Sequence, residues 1–266
     1  MSRFVSLLLA GVAACSTVPR PAPDAGPWSA EVLPARHAEL DEGPRWSERA
    51  SDWGHALELF VSARGVDFDT AEGFLASLSK HAGGPPAKQV GHCWIRLIGP
   101  EGVLVGGHSG EYGTSRPTYR EGVIERMNAG DPDPVAYLWE AMDDGVFLEG
   151  SGGLTPTFAC GVPLTREEHD AVRSFVETFD PTVFALRGRA CSDFLVSVAA
   201  LAGLPVQNTV RVRLPRRVRY LGKTWTMWTD ERYAVLDYGA PEVVEDSLRV
   251  LVEHGRARAV SLATAR

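Results

Sequence analysis

The chain has 266 residues, and its 27 Lys and Arg against 34 Asp and Glu give a formal net charge of −7. Hydrophobic residues make up 44 % and charged residues 23 %, as is ordinary for a globular protein. The acidic balance, without a Lys/Arg-rich stripe, argues against a nucleic-acid-binding protein. Beyond the first residues no apolar run reaches the length that a bilayer requires, which excludes a polytopic membrane protein.

The N-terminus has the features of an export signal. Arg3 supplies a positive start, and residues 4–14 form an apolar run that is too short to span a membrane but long enough for a signal-peptide core. The run ends in Val-Ala-Ala-Cys at 12–15, which resembles the bacterial lipobox. The resemblance implies cleavage after residue 14 and lipidation of Cys15, whose acyl chains would anchor the protein stably in a membrane.

Ser16 follows the lipobox cysteine and is not an inner-membrane retention signal of the Asp type. In a host with two membranes, the resemblance therefore implies the outer membrane, with the protein facing the periplasm. The alternative is an ordinary secretory signal with an incidental cysteine.

Residues 15–45 are rich in Pro, Ala and charged side chains, and they offer little apolar surface to bury. Such a segment is typical of a stiffened tether. We therefore expect an acylated tether over 15–45 and a single folded domain over 46–266.

Helix signals occur at several places along this domain. Asp69 with Glu72 forms an N-cap pair, and Thr165 with Glu168 forms a capping box. Apolar spacing of three and four residues follows these signals. Helices are predicted at 69–80, 165–179, 191–202 and 242–254.

Strand signals occur mainly between these helices. Residues 90–98 and 103–108 flank a Gly-Pro-Glu-Gly turn and read as a hairpin. Further strands are predicted at 135–139, 158–164, 209–214 and 233–238, with 109–153 mostly loop. Clustered helices and antiparallel strands without βαβ alternation predict an α+β fold, with an antiparallel sheet packed against helices.

Cys191 lies at the first turn of a predicted helix. The positive end of the helix dipole and the free N–H groups there favour thiolate over thiol. A neighbouring histidine would complete a nucleophile, because it can accept a proton and later return it to a leaving group. The alternative is a small buried residue at a helix start.

His92 opens the first strand of the hairpin, in the segment Gly-His-Cys-Trp. Period-two alternation places His92 on one face with Trp94, and Cys93 on the opposite, apolar face with Ile95 and Leu97. We therefore expect His92 to be the candidate base and Cys93 to be a packing residue.

His108 ends the second strand of the hairpin, where a polar group could approach His92 across the ladder. Such a group can hydrogen-bond the second ring nitrogen of a base and fix its tautomer. Glu111 is the alternative candidate for this role, and a surface turn is the alternative interpretation of His108.

A strand that opens with Gly-His, a second His one hairpin later, and Cys-Ser-Asp-Phe at a helix start together resemble the circularly permuted papain-like hydrolases. These are relatives of NlpC-type peptidoglycan peptidases and of lecithin:retinol-acyltransferase-like enzymes. The resemblance covers about residues 88–205 and implies a permuted papain-like core with Cys191 as nucleophile, His92 as base and His108 as third residue. A long insert between about 109 and 157 departs from the minimal core.

The resemblance also implies acyl transfer through a thioester, without a cofactor. The backbone N–H of Cys191 could receive the developing oxyanion. For a lipid-anchored protein outside the cytoplasm, the expected substrates are amide bonds of cell-wall peptides, or else lipid esters.

Other interpretations stay open. A metallohydrolase could use His92 and His108 with Cys93 or Glu111, although no His-Glu-x-x-His spacing occurs and no metal is expected. A non-catalytic envelope lipoprotein with a papain-like pocket is the second alternative. A disulfide between Cys93 and Cys160 is a further possibility, since an oxidising exterior would permit it.

Overall fold

The computed structural model describes residues 28–33, 43–49, 54–78, 91–110, 119–140, 145–220 and 222–262. The predicted signal peptide, Cys15 and Glu111 lie outside these residues. The described part contains five α-helices: α1 (Ala71–Ser77), α2 (Tyr119–Ala129), α3 (Arg166–Thr178), α4 (Cys191–Leu201) and α5 (Pro241–Glu253). Short 3₁₀ helices occupy Pro134–Leu138 and Glu231–Tyr233.

Eleven strands accompany the helices in this part of the chain: β1 (Ser29–Val32), β2 (Ala56–Ser62), β3 (His92–Gly99), β4 (Gly102–Ser109), β5 (Val146–Glu149), β6 (Phe158–Pro163), β7 (Thr209–Arg213), β8 (Arg217–Tyr220), β9 (Lys223–Thr226), β10 (Val235–Gly239) and β11 (Arg258–Ala259). They form a six-stranded sheet ordered β11-β6-β2-β3-β4-β5, a three-stranded sheet ordered β1-β7-β10, and the β8–β9 hairpin. All the pairings are antiparallel, which confirms the predicted α+β class.

The six-stranded sheet packs its apolar face against three helices. Alternate residues of β2 and β3, including Leu59 and Ile95, are fully buried there. They share one core with Val172 of α3, Leu195 of α4 and Leu248 of α5. Burial of side chains of this size contributes about 1.5–3 kcal/mol each, so this core fixes α4 over the sheet.

The opposite face of the central strands carries a smaller cluster. Phe60 and Trp94 stack there with ring centroids 5.5 Å apart, against Ala159. The division of β3 into two faces is therefore as predicted from its period of two. A separate core lies around β7 and β10 and includes Phe74 of α1 and Tyr238.

Two helix signals can be compared directly with the structure. The capping box of Thr165 and Glu168 is present at the start of α3, as predicted. The prediction of Asp69 as N-cap of the first helix is wrong. Thr70 is the N-cap, because its side chain accepts the hydrogen bond from the backbone N–H of Gly73.

The segment predicted as mostly loop contains more structure than its glycine content indicates. The predicted strand at 135–139 is instead the 3₁₀ helix Pro134–Leu138, buried as a whole in the core around β7 and β10. Helix α2 and strand β5 were not predicted, and β5 extends the large sheet by pairing with β4. A proline at the first position of a segment favours a helical turn over a strand paired in a sheet. This explains why 134–138 forms a 3₁₀ helix in place of the predicted strand.

Part of the segment interpreted as a tether is a strand. Ser29–Val32 pairs with β7 along its full length and forms an edge of the three-stranded sheet. The backbone of β1 forms its hydrogen bonds with β7, and such pairing does not require apolar side chains. The low apolar content of this segment therefore gave no sign of a strand. None of the helices in the described residues is long and apolar enough to cross a membrane.

Candidate functional site

The N-terminus of α4 is fixed by a buried polar network. Cys191 is the first residue of the helix, and the carboxylate of Asp193 accepts the backbone N–H of Ala190 at 2.8 Å. Asn208 Nδ2 donates to the other carboxylate oxygen at 2.8 Å and to Ser192 Oγ at 3.3 Å. Burial, as the largest cause, raises the pKa of Asp193. This network holds the helix start, and with it Cys191, against the sheet.

His92 is the first residue of β3 and is 5 % exposed. Its imidazole stacks on the indole of Trp94, with ring centroids 5.7 Å apart and 16° between the planes. Gly91 precedes it with φ of 84°, and a Cβ on Gly91 would lie 2.6 Å from the carbonyl oxygen of Ser62. Glycine is therefore required at the residue that leads the chain into His92.

The structure brings His92 and Cys191 together. His92 and Cys191 line the same cavity, and interactions with the Cys93 thiol, the His92 ring and the backbone N–H of Cys93 lower the pKa of the Cys191 thiol. The Cys93 thiol is the largest cause that lowers the pKa of Cys191 well below its ordinary value; burial opposes it, and the hydrogen bond and charge of His92 add to it. Cys191 thus has the contacts that stabilise a thiolate.

Cys93 has the expected position but an unexpected neighbour. It lies on the apolar face of β3, as predicted, but α4 begins over that same face and brings Cys191 to it. Burial, and next the hydrogen bond to Cys191, raise the pKa of Cys93 well above its ordinary value. Cys93 therefore remains a protonated donor to Cys191. The alternation of β3 could not show this, because the contact depends on where a distant helix starts.

His108 is fully buried, and its Nε2 lies 3.1 Å from the carbonyl oxygen of Pro181. Its ring packs against Phe179 and Phe184, with centroids 5.0 and 5.1 Å away. Burial lowers the pKa of His108, while the hydrogen bond to Pro181 opposes that shift. His108 interacts electrostatically with both Cys191 and His92, but its described hydrogen bond goes to Pro181. Its role as third residue stays a prediction.

The residues directly beside His92 in the sheet are serines. Ser62 of β2 is its register partner, and it is fully buried. The β3–β4 register pairs Ile95 with Gly106, and extending it by three residues places Ser109 opposite His92. Ser62 Oγ and His92 Nε2 are buried, and neither has a hydrogen-bond partner among the described residues. Sequence reasoning missed both serines, because it considered only histidine and carboxylate partners.

A cavity of about 30 Å³ opens at the Cys–His pair. Cys191 is 8 % exposed, so only a small part of its surface is accessible. The cavity is lined by Gly91, His92, Ser109, Gly110, Phe184, Leu186, Ala190, Cys191, Tyr238, Gly239 and Pro241. Its size is sufficient for one or two water molecules.

Tyr238 is a second residue that the sequence did not indicate. It lies near the end of β10 and lines the cavity beside Cys191, although it is only 2 % exposed. Burial, as the largest cause, raises the pKa of its phenol well above 10, and the neighbouring acidic groups of Glu242 and Cys191 contribute. A phenol that stays protonated can donate a hydrogen bond to an anion that forms at the cavity.

The suggested disulfide between Cys93 and Cys160 is ruled out by the sheet order. Leu59 of β2 pairs with Ile95 on one side and with Cys160 on the other, so β2 separates the two cysteines. Two strand spacings place them about 9–10 Å apart at the least, beyond the Cα separation of roughly 7 Å that a disulfide allows. Both thiols are free, and burial raises the pKa of Cys160 to about 12.

The metal alternative has no support in the described part of the chain, where no group of three or more His, Cys, Asp and Glu side chains could hold an ion. Glu111, one of the suggested ligands, lies outside that part. The fold and the site thus define an α+β protein in which a cysteine at a helix N-terminus and a histidine line one cavity. The chain matches no protein-family model, no curated protein and no solved structure.

Proposed function

We propose that this protein is an envelope-anchored thiol hydrolase or acyltransferase with a permuted papain-like core. Its substrates would be amide bonds of cell-wall peptides or, as the second choice, ester bonds of lipids. The observation that carries the proposal is the position of His92 and Cys191 at one cavity, where Cys191 begins a helix and has a lowered pKa.

The proposed reaction uses the groups at this cavity. The Cys191 thiolate attacks the substrate carbonyl, and the backbone N–H groups at the start of α4 face the oxyanion that forms. A protonated His92 ring then gives its proton to the leaving amine or alcohol, which leaves a thioester on Cys191. Water, or another acceptor, attacks the thioester while His92 takes up its proton.

The test is mass spectrometry of purified cell-wall fragments and of phospholipids, each incubated with the protein. Wild type and Cys160→Ala should release the same new fragments, whereas Cys191→Ala and His92→Ala should not. Products from the cell wall would identify an amidase or peptidase, and products from the phospholipids an esterase or acyltransferase. Identical spectra for wild type and Cys191→Ala would contradict the proposal.

The burial of Cys191 favours one second candidate, a non-catalytic binding module for cell-wall material. Cys191 is only 8 % exposed, so little of its sulfur is accessible for attack on a substrate carbonyl. In that case Cys191→Ala would retain cell-wall fragments in a pull-down as well as wild type does, and neither would change them. A loss of products with unchanged retention would instead support catalysis.

A further inference from the structure

Cys93 is a buried nucleophilic group that the proposed reaction does not consume. It lies on β3, while Cys191 lies at the start of α4, and the two side chains belong to the same core. Interactions with the thiol and with the backbone N–H of Cys93 lower the pKa of Cys191. Both cysteines are free. The two cysteines are therefore neighbours in the packing of α4 over β3.

The two thiols differ in their surroundings. Cys191 lies at the cavity and is 8 % exposed, whereas Cys93 is fully buried and does not line the cavity. A small oxidant that enters the cavity therefore reaches the Cys191 sulfur first. The cavity of about 30 Å³ exceeds the roughly 10–15 Å³ that one water requires, so a molecule of the size of hydrogen peroxide fits.

We propose that Cys93 and Cys191 form an oxidative modification site, at which a hydroperoxide converts these two neighbouring core thiols into a disulfide. The Cys191 thiolate attacks the peroxide oxygen and the O–O bond breaks, which gives a Cys191 sulfenic acid; the leaving oxygen takes a proton from solvent and departs as an alcohol or, from hydrogen peroxide, as water. The Cys93 sulfur then attacks the Cys191 sulfur and expels water, which carries away the Cys93 proton and the sulfenic oxygen. The peroxide is reduced by two electrons, and the two thiols supply them.

The disulfide would join β3 to α4 and remove the nucleophile, and this consequence rests on the proposed function. It would also prevent further oxidation of Cys191 to sulfinic acid, which is generally irreversible. Reduction by an external dithiol restores both thiols. The site would thus protect and reversibly inactivate a thiol enzyme that is exposed to an oxidising exterior.

The experiment treats the purified protein with hydrogen peroxide and follows it by intact mass and by mapping of cross-linked peptides. We expect the loss of two hydrogen atoms, a cross-linked peptide pair containing Cys93 and Cys191, and full reversal by dithiothreitol. Cys160→Ala, the matched control, should behave as wild type. Cys93→Ser should give Cys191 sulfinic acid under the same conditions, with its far-ultraviolet circular dichroism unchanged.

Two kinds of oxidation product would overturn the inference. One is a cross-link that involves Cys15 or Cys160 in place of Cys93, and the other is Cys191 sulfinic acid in wild type with Cys93 still reduced. His92→Gln separates this inference from the proposed function, because the variant lacks the base but keeps both thiols. Disulfide formation in inactive His92→Gln supports the modification site whatever the fate of the hydrolase proposal. If wild type cleaved substrate but formed no disulfide, the modification site would be refuted and the proposed function would not.

Discussion

The imidazole of His92, stacked on Trp94, lines the same cavity as Cys191, which comes from a helix much later in the chain. Neither β3 nor α4 alone could place His92 and Cys191 at one cavity. The apolar face of the central sheet holds α4, and the network of Asp193 and Asn208 fixes where that helix begins. The pair is therefore a product of the tertiary fold.

Selective alkylation should distinguish Cys191 from the other described cysteines. At pH 7 we expect iodoacetamide to label Cys191 first, because its pKa is lowered, whereas burial raises the pKa of Cys160 to about 12. His92→Ala should slow the labelling of Cys191 by about tenfold, which corresponds to about 1.4 kcal/mol. His254→Ala, at an exposed position at the far end of α5, should leave it unchanged. Equal labelling of Cys191 and Cys160 would contradict the assignment.

Removal of the Cys93 thiol should also weaken the Cys191 thiolate. A hydrogen bond to a charged group contributes about 1.5–3 kcal/mol, so Cys93→Ala should lower the alkylation rate at pH 7 by about tenfold or more. The pH midpoint of alkylation should move upward. Cys160→Ala removes a buried thiol from the same core without touching Cys191 and serves as the control. An unchanged midpoint in Cys93→Ala would show that the thiol contact is unimportant.

His108 should make the protein less stable in acid. Because burial lowers its pKa below the ordinary value of 6.5, His108 is neutral in the folded state, and charging it favours unfolding. The free energy of unfolding that neutral His108 contributes is present above pH about 6.5. It is lost as the pH falls through the folded-state pKa of His108, by no more than about 1.4 kcal/mol per pH unit. Urea unfolding at pH 7.5 and 5.5 should show a smaller pH difference for His108→Gln than for wild type. His254→Gln should keep the wild-type difference, and an unchanged difference in His108→Gln would refute this account.

Gly91 should be required for the position of His92. In Gly91→Ala the new Cβ would lie 2.6 Å from the backbone of Ser62, at φ of 84°, so we expect a loss of about 1–3 kcal/mol in the free energy of unfolding. The alkylation of Cys191 should slow as well. Gly102→Ala is the matched control, since Gly102 has φ of 125° with nothing within 4 Å of its Cβ position. If both variants reacted equally fast at Cys191, the backbone at Gly91 would not position His92.

Local signals predicted the elements that position the site. The capping box of Thr165 and Glu168 involves neighbours three residues apart, and the hairpin of β3 and β4 has a short turn. Such patterns act within a few residues and are visible in the sequence. The helix that starts at Cys191 was predicted for the same reason.

Contacts between distant segments could not be predicted in this way. The contact of Cys93 with Cys191 depends on the packing of α4 over β3, and Ser62 is a neighbour of His92 only through the pairing of β2 with β3. Strand β1 was missed because its pairing with β7 is non-local and its sequence is short. The hydrogen bond from His108 to Pro181 likewise depends on a loop that follows α3.

The central claim is that Cys191 accepts an acyl group with the help of His92. Its most direct test is intact-mass detection of a thioester after rapid quenching of the protein with an activated acyl ester, followed by peptide mapping. The account predicts one acyl group on Cys191 in wild type and in Cys160→Ala, much slower acylation in His92→Ala, and none in Cys191→Ala. Acylation at other residues only, or acylation of Cys191 at the same rate without His92, would contradict it.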